Sequence, residues 1–156
     1  MSMKNILAIF LSLFFLSACQ KQNEDWSSYG KDLTNQRFSK SDQINTKNVN
    51  NLELAWQYQT GINATFQATP IIHKGIMYVS LPFNHVIALD GKTGKELWRY
   101  EHDRNPNWKI CCGPTNRGVA IHEDKVFFGT IDARLISHDI KTGEKISDIN
   151  KVENLV

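Results

Sequence analysis

The amino-acid sequence predicts an all-β fold for most of this 156-residue chain, and two features of the sequence support that prediction. Short apolar runs of about five residues alternate with Gly, Pro, Asn and Asp, which is the pattern of strands joined by tight turns. In addition, residues 71–79 recur in type at 120–128, and residues 86–94 recur at 135–143. Both recurrences have the same spacing of 49 residues, and a period of this size is typical of solenoids and propellers.

The repeated unit contains two predicted turns. Residues 74–75 and 123–124 separate the first two strands of each copy. An Asp-x-Lys-Thr-Gly turn begins at Asp90 and again at Asp139; its Asp can bond the turn backbone, and its Gly can take a positive φ. The unit therefore predicts a four-stranded antiparallel blade. The chain as a whole is predicted to be an incomplete β-propeller of about two to three blades.

A tryptophan follows the first of these Asp-x-Lys-Thr-Gly turns. We expect the large ring of Trp98 to pack between neighbouring blades. Trp56 stands in a similar sequence context and is interpreted as its equivalent from an earlier blade. Ser147 occupies the matching position in the second copy, so that contact is expected to be missing or displaced there.

The segment before the first repeat is predicted to begin with a short helical turn. Thr46 is a suitable N-cap for residues 47–51, with Leu52 and Leu54 turned inward. Residues 54–58 then alternate apolar and polar side chains, which indicates a strand.

The N-terminal region has the pattern of an export signal. Its apolar run is too short to span a bilayer, which needs ~20 helical residues, but it has the length of a signal-peptide core. Residues 16–19 resemble a bacterial lipobox. We therefore predict a lipoprotein signal peptide over residues 1–18, a lipidated tether over 19–25 beginning at acylated Cys19, and a partial propeller over 26–156. The alternative is an ordinary signal peptide with an incidental cysteine. The predicted location is the periplasm, anchored by lipid, and the residue after the cysteine favours the outer membrane.

Composition and spacing exclude several classes of site. The formal net charge is only +2 and there is no basic stripe, so nucleic-acid binding is not expected. The remaining cysteines are adjacent and lack the spacing of a zinc site. The five histidines also show no metal-ligand spacing. Two of them are interpreted as structural parts of the repeat (His73 and His122), and three as loop or surface residues (His85, His102 and His138).

The repeats resemble the pyrroloquinoline-quinone (PQQ) repeat of bacterial quinoproteins. An ordered series of segments narrows this resemblance to the methanol/ethanol-type PQQ-dependent alcohol dehydrogenases. The most specific segment joins the adjacent cysteines to an Asn-Arg-Gly sequence. The matching segments lie at residues 25–30, 42–45, 48–49, 56–61, 67–70 and 111–118.

The resemblance implies an eight-bladed parent enzyme with PQQ on its axis, stacked between a tryptophan and a disulfide of adjacent cysteines. In that family Ca²⁺ or a lanthanide polarises the quinone, an Asp is the general base, and electrons leave to a cytochrome. The metal ligands, the base and the stacking tryptophan come from later blades. The chain is therefore expected to be the N-terminal part of a periplasmic enzyme that oxidises a primary alcohol, and to be inactive alone.

Four residues are predicted to contact PQQ on this resemblance. Cys111 and Cys112 would form the adjacent disulfide, which closes almost no loop and so contributes roughly 1 kcal/mol by chain entropy. A flat ring against a planar cofactor is a better reason for the pair. Arg117 would contact the quinone edge, because its guanidinium can fork onto carboxylate or quinone oxygens. Gln67 stands where the best-known relatives often have Glu. The plainer alternatives are two buried thiols, a surface Arg and an ordinary loop Gln, with Asn116 supporting the loop.

Two other functions remain open at this point. The first is a non-enzymatic PQQ-repeat propeller lipoprotein that acts as an outer-membrane assembly scaffold, which would give the adjacent cysteines no role. The second is a small β module that oligomerises to complete a ring. The expected partners are the remaining blades or a downstream chain, a cytochrome c acceptor, and the membrane through the lipid anchor.

Overall fold

The computed structural model describes residues 25–105, 107 and 111–150. The predicted signal peptide and Cys19 lie outside the described residues. Within the described part, no helix is long and apolar enough to cross a membrane. The strands are β1 (Ile71–His73), β2 (Ile76–Ser80), β3 (Val86–Asp90), β4 (Glu96–Tyr100), β5 (Ala120–His122), β6 (Lys125–Gly129), β7 (Arg134–Asp139) and β8 (Lys145–Asn150), with short 3₁₀ turns at Val49–Asn51 and Pro82–Asn84.

The strands form two four-stranded antiparallel sheets, in the orders β1-β2-β3-β4 and β5-β6-β7-β8. We call them the first and second blade. The predicted turns join the expected strands. In each Asp-x-Lys-Thr-Gly turn, Oδ1 of Asp90 or Asp139 accepts hydrogen bonds from the backbone amides of the Lys and the Thr and from the Thr hydroxyl. Gly94 and Gly143 close these turns at φ +70° and +71°. The predicted all-β fold of propeller blades is confirmed.

Two tryptophans cover the glycines that close the repeated turns. The Trp98 ring of β4 covers Gly143 in the second blade, and its Nε1 donates to the carbonyl of Ile140 at 3.1 Å. The expected packing of Trp98 between neighbouring blades is therefore present, and around this ring a single buried cluster spans both sheets. Trp56 covers Gly94 in the same manner and donates to the carbonyl of Gly91 at 3.2 Å, but the segment that carries it forms no blade among the described residues.

The second blade lacks this tryptophan, as expected. Ser147 takes its position, and its hydroxyl lies 2.7 Å from the hydroxyl of Ser137. The next face of that blade leaves apolar side chains exposed, with Leu135 at 37% and Ile149 at 42%. This face is therefore built differently from the one that carries Trp98.

The segment before β1 differs from its prediction in three ways. The helical turn covers only Val49–Asn51 and follows Asn48 rather than Thr46, because Asn side chains bond the backbone there and compete with a helical cap. Leu52 and Leu54 are exposed, at 58% and 77%, instead of buried. The strand predicted over residues 54–58 is absent: residues 54–60 form no strand and pair with none among the described residues, although Trp56 and Tyr58 pack against the first blade.

The interpretation of His138 as a loop or surface residue is wrong, because it lies in a strand and is buried; His102 does lie in a loop, but it is buried as well. His102 is 6% exposed and His138 is 1% exposed. His138 lies in β7 beneath the rings of Tyr100, Phe128 and Trp98, which come from both blades. Because these neighbours lie far apart in the sequence, local pattern could not indicate the burial.

Candidate functional site

The antiparallel strand order brings the predicted site residues to one end of the sheets. The segments that enter β1 and β5 lie at this end, together with the β2–β3 and β6–β7 connections. We call it the loop face. The Asp-x-Lys-Thr-Gly turns lie at the opposite end. The four predicted contacts with the cofactor belong to the segments entering β1 and β5: Gln67, Cys111, Cys112 and Arg117.

Arg117 and Gln67 contact each other across the two segments. The guanidinium of Arg117 donates from Nε and Nη2 to Oε1 of Gln67, at 3.2 and 2.7 Å. Both side chains are exposed. The contact leaves further guanidinium N–H groups and the Gln67 amide N–H₂ available as donors to an anionic ligand.

Cys111 and Cys112 lie on the exposed surface as unbonded thiols, with their sulfurs 2.8 Å apart. The alternative of buried thiols therefore does not hold for this structure. The hydrogen bond with Cys111 and the charge on its sulfur raise the pKa of the Cys112 thiol. A thiol with a raised pKa is a weaker nucleophile at neutral pH. The disulfide between the two residues stays a prediction.

Asn116 supports the loop, as expected. Its amide N–H₂ donates to Oδ1 of Asn84 in the first blade at 3.0 Å and to the carbonyl of Gly129 in the second blade at 2.8 Å. Its Oδ1 accepts from the amide of Gly118 at 2.8 Å. Asn116 therefore fixes the backbone on both sides of Arg117 relative to both blades.

Sequence reasoning missed the groups of the first blade that contact the backbone around Arg117. Ser80 is 1% exposed, and its hydroxyl lies within hydrogen-bonding distance of the carbonyls of Asn116 and Gly118, at 3.0 and 2.8 Å. The amide of Phe83 donates to the carbonyl of Pro114 at 2.8 Å. Both Phe83 and Asn84 have positive φ, at 67° and 65°. A polar Ser80 at the end of an apolar strand is the one signal that could have indicated such an anchor.

The residues present fit one side of a PQQ site. A fixed cation and an amide donor suit the carboxylates of a tricarboxylate quinone, and the adjacent sulfurs lie on the same face of the molecule. Among residues 25–105, 107 and 111–150, no group of three or more His, Cys, Asp or Glu could hold a metal ion.

Comparisons with known proteins identify the family of this chain. Residues 26–151 match the PQQ family described as the glucose/ethanol/alcohol dehydrogenase β-propeller domain. The chain is 41% identical to the quinohemoprotein alcohol dehydrogenase ADH IIB of Pseudomonas putida, over 84% of this chain and 19% of that protein. It is 40% identical to the 1-butanol dehydrogenase (cytochrome c) of Thauera butanivorans, over 81% of this chain and 18% of that protein.

A solved structure shows the same fold. The europium-containing methanol dehydrogenase superposes with a TM-score of 0.76 at 35% identity, over 83% of this chain and 23% of that chain. The chain thus spans about a fifth of the length of the relatives it matches. Since the family match covers most of the sequence, the chain belongs to the PQQ family of glucose/ethanol/alcohol dehydrogenase β-propeller domains.

Proposed function

We propose that the chain is the N-terminal part of a periplasmic PQQ-dependent alcohol dehydrogenase that oxidises a primary alcohol and passes electrons to a cytochrome c. The observation that carries this proposal is the Arg117–Gln67 contact on the loop face, on the same face as the adjacent cysteines. Relatives at about 40% identity are quinohemoprotein or cytochrome c-linked alcohol dehydrogenases, which supports the same conclusion.

In this proposal the chain supplies one wall of the cofactor site. Arg117 and Gln67 would bind and orient the quinone and its carboxylates, and Cys111 and Cys112, joined as a disulfide, would cover one face of the ring. PQQ, when bound, supplies the two-electron acceptor for alcohol oxidation. The catalytic Asp and the Ca²⁺ or lanthanide ligands would come from the remaining blades, so the chain would be inactive without them.

Complementation tests this proposal. The 156-residue chain is co-expressed with the part of P. putida ADH IIB that lies beyond the matched segment, and alcohol oxidation with a dye acceptor is measured after adding PQQ and Ca²⁺. We expect activity only when both pieces are present, and loss of PQQ affinity with Arg117→Ala. If the two pieces co-purify as a folded complex that binds no PQQ, the enzyme proposal fails and the assembly-scaffold alternative gains.

Export and lipid anchoring form a separate proposal. We propose that Cys19 is acylated and holds the protein at the outer membrane, because residues 16–19 resemble a lipobox. Labelled palmitate should enter the wild-type chain and not Cys19→Ser, while the Cys111→Ser and Cys112→Ser double variant should keep the label. Label in Cys19→Ser, or wild-type chain in the soluble periplasmic fraction, would contradict the anchor.

A further inference from the structure

The contact between Gln67 and Arg117 leaves mainly hydrogen-bond donors available to a ligand. Both N–H groups that Arg117 directs at Gln67 meet the same oxygen, Oε1, at 3.2 and 2.7 Å. A guanidinium carries only donors, so its N–H groups outside this contact stay available. The Nε2 group of Gln67 is a donor as well. The two side chains together therefore suit a ligand that presents oxygen acceptors.

The positive charge of Arg117 has no negative partner in the described part of the chain. The ion pairs found there join other side chains, such as Arg99 with Glu96 and Arg134 with Asp148. A guanidinium in a protein is always charged. Both Arg117 and Gln67 are exposed, so a ligand can reach the cation directly. The neutral amide of Gln67 thus holds a cation in place without neutralising it.

A carboxylate in place of the Gln67 amide would reverse this property. It would accept the same N–H groups in the bidentate geometry that arginine favours, but its charge would cancel that of the guanidinium. Its second oxygen would be an acceptor where Gln67 has an N–H₂ group. A ligand carboxylate would then meet repulsion instead of a hydrogen-bond donor. The amide of Gln67 therefore determines the charge of this part of the loop face.

We propose that Gln67 is a specificity-determining residue that makes the loop face select polyanionic ligands. It anchors Arg117 through Oε1 and leaves the guanidinium charge free to bind carboxylates. Asn116 bonds to both blades beside Arg117, so the cation is positioned before a ligand arrives, which lowers the entropic cost of binding. Where the ligand is PQQ, this inference rests on the proposed function. The charge selection itself depends only on the observed contact.

A planar aromatic tricarboxylate tests the selection without any cofactor. Benzene-1,2,4-tricarboxylate is titrated against the 156-residue chain, and binding is followed by NMR through the Nε–H signal of Arg117. Gln67→Glu should weaken binding by about fivefold to tenfold. Gln59→Glu adds the same charge at another exposed glutamine and is the matched control. It should stay within about twofold of wild type at moderate ionic strength, because distant charges are screened there.

A second variant separates charge from positioning. Gln67→Leu removes the Oε1 anchor of Arg117 but adds no charge. If Gln67 acts through charge selection, Gln67→Leu should weaken binding of the tricarboxylate by only about twofold, less than Gln67→Glu does. Equal losses in the two variants would show that Gln67 only positions Arg117, and would overturn the proposal. Binding by wild type that is no tighter than binding by Gln67→Glu would overturn it as well.

The complemented enzyme separates this inference from the proposed function. There, the affinity for PQQ is divided by the affinity for its uncharged trimethyl ester, and this ratio should fall about tenfold in Gln67→Glu. If the tricarboxylate responds as expected and the complemented wild type binds no PQQ, the charge selection stands and the enzyme proposal fails. If PQQ binds and Gln67→Glu behaves like Gln59→Glu with both probes, the enzyme proposal stands and the charge selection fails.

Discussion

Replacing His138 by Leu should make the chain more stable in acid, and the repeat itself supplies the reason. His138 stands at the position that Leu89 occupies in the first blade, and both side chains are buried. Its Nδ1 lies 2.8 Å from the carbonyl of Gly143, so the proton of the neutral ring is on Nδ1. Its Nε2 is then an acceptor, and it has no hydrogen-bond partner within the described part of the chain. Burial lowers the pKa of His138 below the ordinary value of 6.5.

The size of the effect follows from proton linkage. The unfolded chain binds a proton at His138 below about pH 6.5, whereas the folded chain does not until the pH reaches the lowered pKa. Within that window, wild type loses up to about 1.4 kcal/mol of stability per pH unit that His138→Leu does not lose. At pH 8 the unfolding free energies of the two proteins should differ little, because two effects of His138→Leu oppose each other. Removing the unpaired acceptor stabilises the variant by ~1–3 kcal/mol, and losing the hydrogen bond to the carbonyl of Gly143 costs ~0.5–1.5 kcal/mol.

The assay is urea unfolding of both proteins between pH 8 and pH 5. We expect the difference in unfolding free energy to widen steadily below pH 6.5 in favour of His138→Leu. Burial also lowers the pKa of His85, but both proteins keep that residue, so its contribution cancels. His122→Gln, an exposed change, should follow wild type at every pH. A difference that stays constant from pH 8 to pH 5 would refute the reasoning.

Three further changes test the packing and the site. Gly143→Ala should destabilise the chain by roughly 1–3 kcal/mol more than Gly75→Ala, measured by thermal unfolding. Both glycines have positive φ, but only the Cβ added at Gly143 would meet the Trp98 ring, at 2.6 Å. Equal costs would contradict the contact between the blades. Trp98→Ala should destabilise the chain by roughly 3–5 kcal/mol, measured by denaturant unfolding, since its ring joins both sheets. Arg117→Lys should weaken PQQ binding in the complemented enzyme by about tenfold or more, because Lys cannot reproduce the forked guanidinium contact; unchanged affinity in a PQQ titration would exclude Arg117 from the site.

The repeat made the sheets predictable. Positions at which its two copies differ, such as His138, could not be predicted in the same way. Each Asp-x-Lys-Thr-Gly turn carries its own hydrogen bonds, so a short stretch of sequence determines it. The tryptophan contacts were also predictable, because Trp98 and Trp56 share a sequence context. His138 was not, since the first blade has Leu at that position and nothing nearby in the sequence shows which side chains cover it.

The sequence predicted the residues that would contact a cofactor, but not the residues that hold them in position. Resemblance indicated Arg117 and Gln67, and the structure brings them into contact across two segments. The groups that hold the loop are ordinary polar residues, such as Ser80 and Asn84, whose partners lie in the segment that enters the other blade. A contact between blades leaves no periodic signal in the sequence of either one. Sequence reasoning therefore finds the residues that would contact a cofactor more readily than those that position them.

These supports show that the candidate wall belongs to the junction between the two blades. Arg117 bonds to the segment that enters the first blade, and Asn116 bonds to both blades. Neither blade alone could hold the loop in place. The Trp98 contact that packs the two sheets is therefore also what allows the wall to form. It follows that Trp98→Ala should lower the PQQ affinity of the complemented enzyme as well as stability, although no atom of Trp98 belongs to the candidate site.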